Sequence, residues 1–112
     1  MSTDDEKVLL WAAIEDDAGL WETEWELRAV HPDWADARVR ERARDLLMQF
    51  LEADLVRLFR CQLLEGRRVE IDRAEAVEML AASASWDPAG HDEPSIRVAA
   101  TEAGEAFYAR MD

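Results

Sequence analysis

The chain has 112 residues, a formal net charge of −13 and 49% hydrophobic residues. That length suits one domain with a modest core and is too short for two independent ones. The apolar content, which includes five tryptophans, excludes a chain that is disordered throughout. A pI of about 4.4 opposes long-range attraction to nucleic acid and favours a basic partner.

The beginning of the chain is acidic, and the apolar run at 8–14 is followed by three acids. A run this short is unlike a secretory signal and far below membrane-spanning length, so we expect a cytoplasmic protein with no membrane association. The single cysteine, Cys61, lies in an apolar run. It cannot form an internal disulfide and is expected to be a small core residue.

Charge is distributed unevenly along the chain. Residues 1–37 carry eleven acids and two bases, residues 38–73 carry seven acids and nine arginines, and residues 74–112 carry eight acids and two arginines. The middle third, with a net charge of +2, is the part of the chain that a polyanion would not repel.

Three helices are predicted in the first half of the chain. The first covers 5–16, with Val8, Trp11, Ala12 and Ile14 as its apolar stripe. Gly19 is expected to end it, and a second helix follows over 20–30 until Pro32 stops it. The third covers 34–53, and its buried stripe consists of Val39, Ala43, Leu46, Leu47 and Phe50.

The third helix carries four arginines beside that stripe, Arg38, Arg40, Arg42 and Arg44. Three-residue spacings place Arg38 and Arg44 near Glu41 and place Arg42 near Asp45, so ion pairs within the helix are expected. Three interpretations remain open: a solvated face with internal ion pairs, a contact surface for a protein, or a nucleic-acid contact.

The second half mixes strands and helices. Branched and aromatic residues predict a strand over 55–61 and another over 96–100, and about 62–95 form an insertion between them. The insertion contains a short helix capped by Asp72, with Ala74, Val77 and Leu80 facing inward, and a loop that Trp86 is expected to attach to the body. Thr101 is expected to cap a final helix.

Two stretches resemble a known superfamily. "RARDLLMQFLEADLVRLF" is similar to the third helix and first wing strand of winged-helix (winged helix-turn-helix) proteins, and "IRVAATEAGEAFYAR" is similar to the ending of small regulators of the MarR and PadR type. "GLWETEWEL" and "SWDP" also resemble uncharacterised small acidic bacterial proteins of winged-helix type. The resemblance implies an α+β winged helix over 1–112, with three N-terminal helices, a two-stranded hairpin carrying a helical insertion, and a C-terminal helix.

The same resemblance implies that helix 34–53 enters the DNA major groove. The arginines at 38, 40, 42 and 44 would then be the nucleic-acid contacts, with Arg57, Arg60, Arg67 and Arg68 near the wing. A transcriptional regulator of this kind would have to dimerise, because one small module holds DNA weakly at physiological salt.

The tryptophans suggest a different partner. Trp11 is expected in the core, whereas Trp21, Trp25 and Trp34 lie among acids that include Glu22 and Glu26. They are either core and boundary residues or an exposed aromatic anchor ringed by carboxylates, which suits a basic protein surface.

No pattern in the sequence indicates catalysis. His31 and His91 are sixty residues apart and neither has zinc-ligand spacing, and no phosphate-binding loop or nucleophile motif is present. We therefore expect a non-enzymatic binding protein without metal or cofactor, an immunity- or antitoxin-like protein or a regulatory adaptor, that binds a basic protein through Trp21, Glu22, Trp25, Glu26 and Trp34. The alternative is a DNA-binding regulator that uses helix 34–53. Homodimerisation is left open.

Overall fold

The computed structural model describes residues 4–15, 18–62, 67–82, 86 and 95–111. Within them the fold is α+β. The helices are α1 Asp4–Glu15, α2 Leu20–Val30, α3 Asp36–Glu52, α4 Arg73–Ala81 and α5 Glu102–Ala109. The strands are β1 Ala18–Gly19, β2 Val56–Gln62, β3 Arg67–Glu70 and β4 Ser95–Ala100.

Helix α1 buries a different face from the predicted one. Leu9, Leu10 and Ala13 are buried, whereas Trp11 is 45% exposed and stacks on Tyr108 of α5, with 5.4 Å between ring centroids. The expectation that Trp11 is a core residue was therefore wrong. Ala13 lies four residues after Leu9 and three after Leu10, so these residues form an alternative stripe at helical spacing. That stripe belongs to the buried core.

The bounds of helices α2 and α3 lie within two residues of the predicted ones. Helix α2 covers the predicted 20–30, and α3 starts at Asp36 because Ala35 is extended, with φ −65° and ψ 150°. The predicted stripe of α3, Val39 to Phe50, is buried. Gly19 was expected to end α1 but is instead the N-cap of α2.

The predicted antiparallel pairing of the two main strands is confirmed. Val56 lies opposite Ala100 and Cys61 opposite Ser95, so β2 and β4 pair along six positions. The sheet has four strands in the order β1-β4-β2-β3 rather than the two expected. The two unpredicted strands, β1 and β3, are two and four residues long, too short for an alternating pattern to show.

A tight junction joins α3, β2 and α5. Asp54 adopts φ 60° after α3, and the backbone N–H of Thr101 donates to the Leu55 carbonyl at 2.9 Å. The Thr101 hydroxyl donates to the Asp54 carbonyl at 2.7 Å and accepts from the Gly104 N–H at 3.0 Å. The predicted cap at Thr101 is confirmed, and it also fixes α5 against the start of β2.

The described part of the insertion packs on the core through α4 and Trp86. Asp72 caps α4 by accepting from the Glu75 N–H at 3.0 Å, as predicted. The inward residues of α4 are Ala76 and Leu80, so the expected positions of Ala74 and Val77 were wrong. Trp86 is buried and its indole N–H donates to the Leu80 carbonyl at 3.0 Å, which attaches it to the body as expected.

A single buried cluster contains residues from α1, α2, α3, α4, β2 and β4. The cluster lies between the helices and one face of the sheet, with Leu58 and Val98 as a directly paired buried couple. Burial of the Cys61 side chain and the surroundings of His91 lie outside the described residues.

Candidate functional site

The outward face of α2 carries an exposed tryptophan beside acids. Trp25 is 56% exposed and Glu26 is exposed, whereas Trp21 and Glu22 are half-buried. The inward residues of the helix are Leu20, Thr23, Glu24 and Leu27. Because these four residues are buried, Trp25 and Glu26 face solvent. We call the surface formed by Trp21, Glu22, Trp25 and Glu26 the α2 face.

Trp21 and Glu22 also stabilise the start of α2. The indole of Trp21 lies over Gly19, where an added Cβ would come within 2.4 Å of the ring, so only glycine permits this approach. The Gly19 N–H donates to Glu22 Oε1 at 3.3 Å, and the guanidinium of Arg97 lies 5.9 Å from the Trp21 ring centroid. These two side chains are therefore partly engaged by the fold, unlike Trp25.

Trp34 lies in a separate cluster at the turn between α2 and α3. His31 stacks on its ring with 3.6 Å between centroids and an interplanar angle of 2°. The Arg38 guanidinium lies 4.1 Å from the same ring. Among the described residues, the recorded ring contacts of Trp34 are with these two side chains, so the structure does not join Trp34 to Trp25.

Asp5 links three helices. Its carboxylate is 2.6 Å from Nε2 of His31 at the end of α2, and it accepts from Nε of Arg42 on α3 at 3.0 Å. The residue is only 7% exposed. A carboxylate with so little access to water is costly unless it is paired and hydrogen-bonded, and here both conditions are met.

Glu24 makes the corresponding contact between α2 and α3. It is also 7% exposed, and it accepts from Arg40 Nε at 2.7 Å and from Arg28 Nη2 at 3.2 Å. Arg28 extends the network to Asp36 at 3.2 Å. Asp5 and Glu24 therefore hold two of the four arginines of α3 from opposite flanks.

The prediction of ion pairs within α3 was wrong. Arg40 and Arg42 pair with acids on other helices, Arg38 lies on Trp34, and Arg44 makes no recorded ion pair with any described residue. The sequence held one usable signal, since Asp5 lies four positions before Leu9 and so shares its face of α1.

The exposed side of α3 is acidic. Its exposed charged residues are Asp36, Arg38, Glu41, Asp45 and Glu52, four acids and one base. Arg40 and Arg42 are held toward α2 and α1, and Arg44 is half-buried. Even with Arg44 counted, acids outnumber bases on the surface that a groove-inserted helix would present to phosphates.

The arginines expected near a wing are also paired where they are described. Arg57 bonds Glu70 at 3.0 Å and lies 3.4 Å from Asp54, and Arg60 bonds Glu75 at 3.1 Å. The hydrogen bond to Glu70, followed by the charge of Asp54, raises the pKa of the Arg57 guanidinium above its ordinary value. The side chains of Arg67 and Arg68 lie outside the described residues.

The structure describes residues 4–15, 18–62, 67–82, 86 and 95–111. Within them no group of three histidine, cysteine or acidic side chains could hold a metal ion, and no helix has the length and apolar character to cross a membrane. His91, Asp92 and Glu93 lie outside those ranges.

Comparison of the chain with family models, with curated proteins and with solved structures finds no match.

Proposed function

We propose that this chain is a winged-helix-type domain that acts as a non-enzymatic binding protein. The order of elements supports this proposal: three helices, the strand β2, the returning antiparallel strand β4 and the closing helix α5. The β3–α4 segment would then be an insertion between the two wing strands. The classes of protein that fit are an immunity- or antitoxin-like protein and a regulatory adaptor.

The observation that carries the proposal is the exposure of Trp25. A large aromatic side chain such as tryptophan can bury about 150–250 Å² of surface. Trp25 leaves 56% of its surface exposed to water. Tryptophans that lie in well-packed interface centres are among the side chains that dominate binding energy. Trp25 therefore gains from a partner that covers it.

The charge around Trp25 favours a basic partner. Glu22 and Glu26 lie one turn apart on the same helix, Trp25 lies between them in the sequence, and the whole chain has a net charge of −13. Complementary potentials accelerate association and exclude partners of like charge. A basic protein surface with an apolar recess would satisfy both the indole and the carboxylates.

The alternative, a DNA-binding regulator, has less support. Arg40 and Arg42 are engaged by Glu24 and Asp5, so phosphate contacts by them would take one of its two basic partners from each of these carboxylates of low exposure. The loss of a charged hydrogen bond costs about 1.5–3 kcal/mol in each case. The acidic exposed side of α3 would add repulsion.

Affinity capture from a lysate of the source cells tests the proposal. We expect the wild-type chain and the Trp11→Ala control to retain the same protein of high pI, and the double variant Trp25→Ala/Glu26→Lys to lose it. The control removes a tryptophan of comparable exposure from another helix. Retention of the protein by the double variant would refute the assignment of the α2 face.

A further inference from the structure

Two of the tryptophans near the acidic helices already carry an arginine on the ring. Arg38 lies 4.1 Å from the Trp34 centroid and Arg97 lies 5.9 Å from the Trp21 centroid. Both distances fall within the range of about 6 Å at which a cation is attracted by the face of an indole. The molecule thus contains two internal examples of guanidinium packing on tryptophan.

Trp25 is a third tryptophan of this part of the fold, and it carries no arginine from the described residues. It is more exposed than Trp11, the other exposed tryptophan, and no ring contact of its indole with a described residue is recorded. The nearest arginine along α2, Arg28, is held by Glu24 and Asp36. Among the described side chains no arginine lies on this ring, so its face is open to a cation from a partner.

From these contacts we infer that the partner of the α2 face presents an arginine, whose guanidinium packs on Trp25 and pairs with Glu26. The inference rests on the proposed function and names the chemistry of its partner. Arginine fits better than lysine because its planar guanidinium stacks on an aromatic face and can bond a carboxylate through two N–H groups at once. A lysine ammonium would offer only a strongly hydrated point charge.

Glu26 is available for this pairing. It is exposed, and no hydrogen bond or ion pair of its carboxylate with a described residue is recorded. Glu22, in contrast, accepts from the Gly19 N–H at the start of α2. Exposure and the lack of a partner among the described residues therefore favour Glu26 as the carboxylate for the incoming guanidinium, with Glu22 adding only long-range attraction.

The test uses nine-residue homopeptides of arginine and of lysine, titrated calorimetrically into the full chain at about 50 mM salt, where charge attraction is weakly screened. We expect the arginine peptide to bind about two- to fivefold more tightly, the factor that one exposed cation–π contact supplies. Trp25→Ala should remove the preference for arginine, and Trp11→Ala should keep it. Glu26→Gln should weaken the binding of both peptides.

Each remaining outcome has a defined meaning. Equal binding of both peptides, or a preference that survives in Trp25→Ala, overturns the arginine inference but leaves a basic partner for the α2 face in place. If Trp11→Ala loses the preference for arginine and Trp25→Ala keeps it, the inference is overturned as well, and the arginine contact lies on α1. If neither peptide binds, both this inference and the proposed function are overturned. Circular dichroism of each variant verifies that the fold is retained.

Discussion

Two carboxylates of low exposure, Asp5 and Glu24, determine where the arginines of α3 point. Each accepts from one arginine of α3 and lies within contact distance of a second basic side chain, His31 for Asp5 and Arg28 for Glu24. Because an unpaired carboxylate at 7% exposure would be costly, these acids keep Arg40 and Arg42 against the helical body. The arginine-rich segment is thus mainly part of the scaffold.

Replacement of Asp5 by Asn should destabilise the fold by about 1–3 kcal/mol, because Arg42 and His31 lose a charged acceptor. The change is measured by urea unfolding of the full chain. The matched control is Asp4→Asn in the same first turn, where the side chain is exposed and a change within about 0.5 kcal/mol is expected. Equal effects at the two positions would contradict a specific role for the Asp5 contacts.

Gly104 is required by a close approach of two backbones. A Cβ at this position would lie 2.1 Å from the Leu55 carbonyl oxygen, so Gly104→Ala should destabilise the chain by about 1–3 kcal/mol despite the better helix propensity of alanine. Thermal unfolding measures the effect. The exposed neighbour Ala103, changed to Ser, should stay within about 0.5 kcal/mol of wild type; a stable Gly104→Ala variant would show that α5 can shift.

At the scale of elements, signals carried by neighbouring residues predicted the structure well. The bounds of α2, the caps at Asp72 and Thr101 and the buried stripe of α3 follow from spacing and capping chemistry. The buried face of α1 did not, because Leu9 and Leu10 with Ala13 form one stripe at helical spacing and Trp11 with Ile14 forms another of similar quality. Packing against the rest of the fold decides between them.

Contacts distant in sequence were the part that could not be predicted. Glu24 and Arg40 are sixteen residues apart, and Asp5 and Arg42 are thirty-seven apart. Nothing in the local pattern of either residue indicates its partner. On the α2 face, the pattern of tryptophans and acids predicts an exposed aromatic anchor but does not say which tryptophan it is. The exposure of Trp25 and the engagement of Trp34 by His31 and Arg38 depend on tertiary packing.

The cap at Thr101 couples α5 to the sheet, so its loss should affect both elements. Thr101→Ala removes the acceptor for the Gly104 N–H and the donor to the Asp54 carbonyl, and we expect a loss of about 0.5–2 kcal/mol. Thr101→Ser keeps the hydroxyl and should recover most of it. Hydrogen exchange of the α5 amides locates the effect, and a Thr101→Ser variant as unstable as Thr101→Ala would attribute the loss to the methyl group.

At the scale of the whole molecule, charge separates the two candidate functions. The chain has a net charge of −13, and on α3 the exposed charges are mostly acidic. Such a surface repels a polyanion at long range and attracts a polycation. The middle third of the sequence carries the arginines, but in the fold several of them neutralise acids of the same molecule.

Duplex DNA should therefore not bind the chain measurably, even at about 50 mM salt where phosphate contacts are strongest. Fluorescence anisotropy of a labelled duplex measures this. The double variant Arg38→Ala/Arg44→Ala serves as the comparison, since it removes the two arginines of α3 that form no ion pair within the described part of the chain. Salt-sensitive binding by wild type that this variant loses would favour the DNA-binding regulator.

The central claim is that the partner binds the α2 face and not α3. Its most direct test compares variants of these two helices in their affinity for the same partner. Once the basic protein retained by affinity capture is identified, its affinity is measured by calorimetry for wild type, for Trp25→Ala/Glu26→Lys on α2 and for Arg38→Ala/Arg44→Ala on α3. We predict that the α2 variant loses at least about tenfold in affinity, as hot-spot tryptophans do, and that the α3 variant binds like wild type. Normal binding by the α2 variant with loss in the α3 variant would contradict the account.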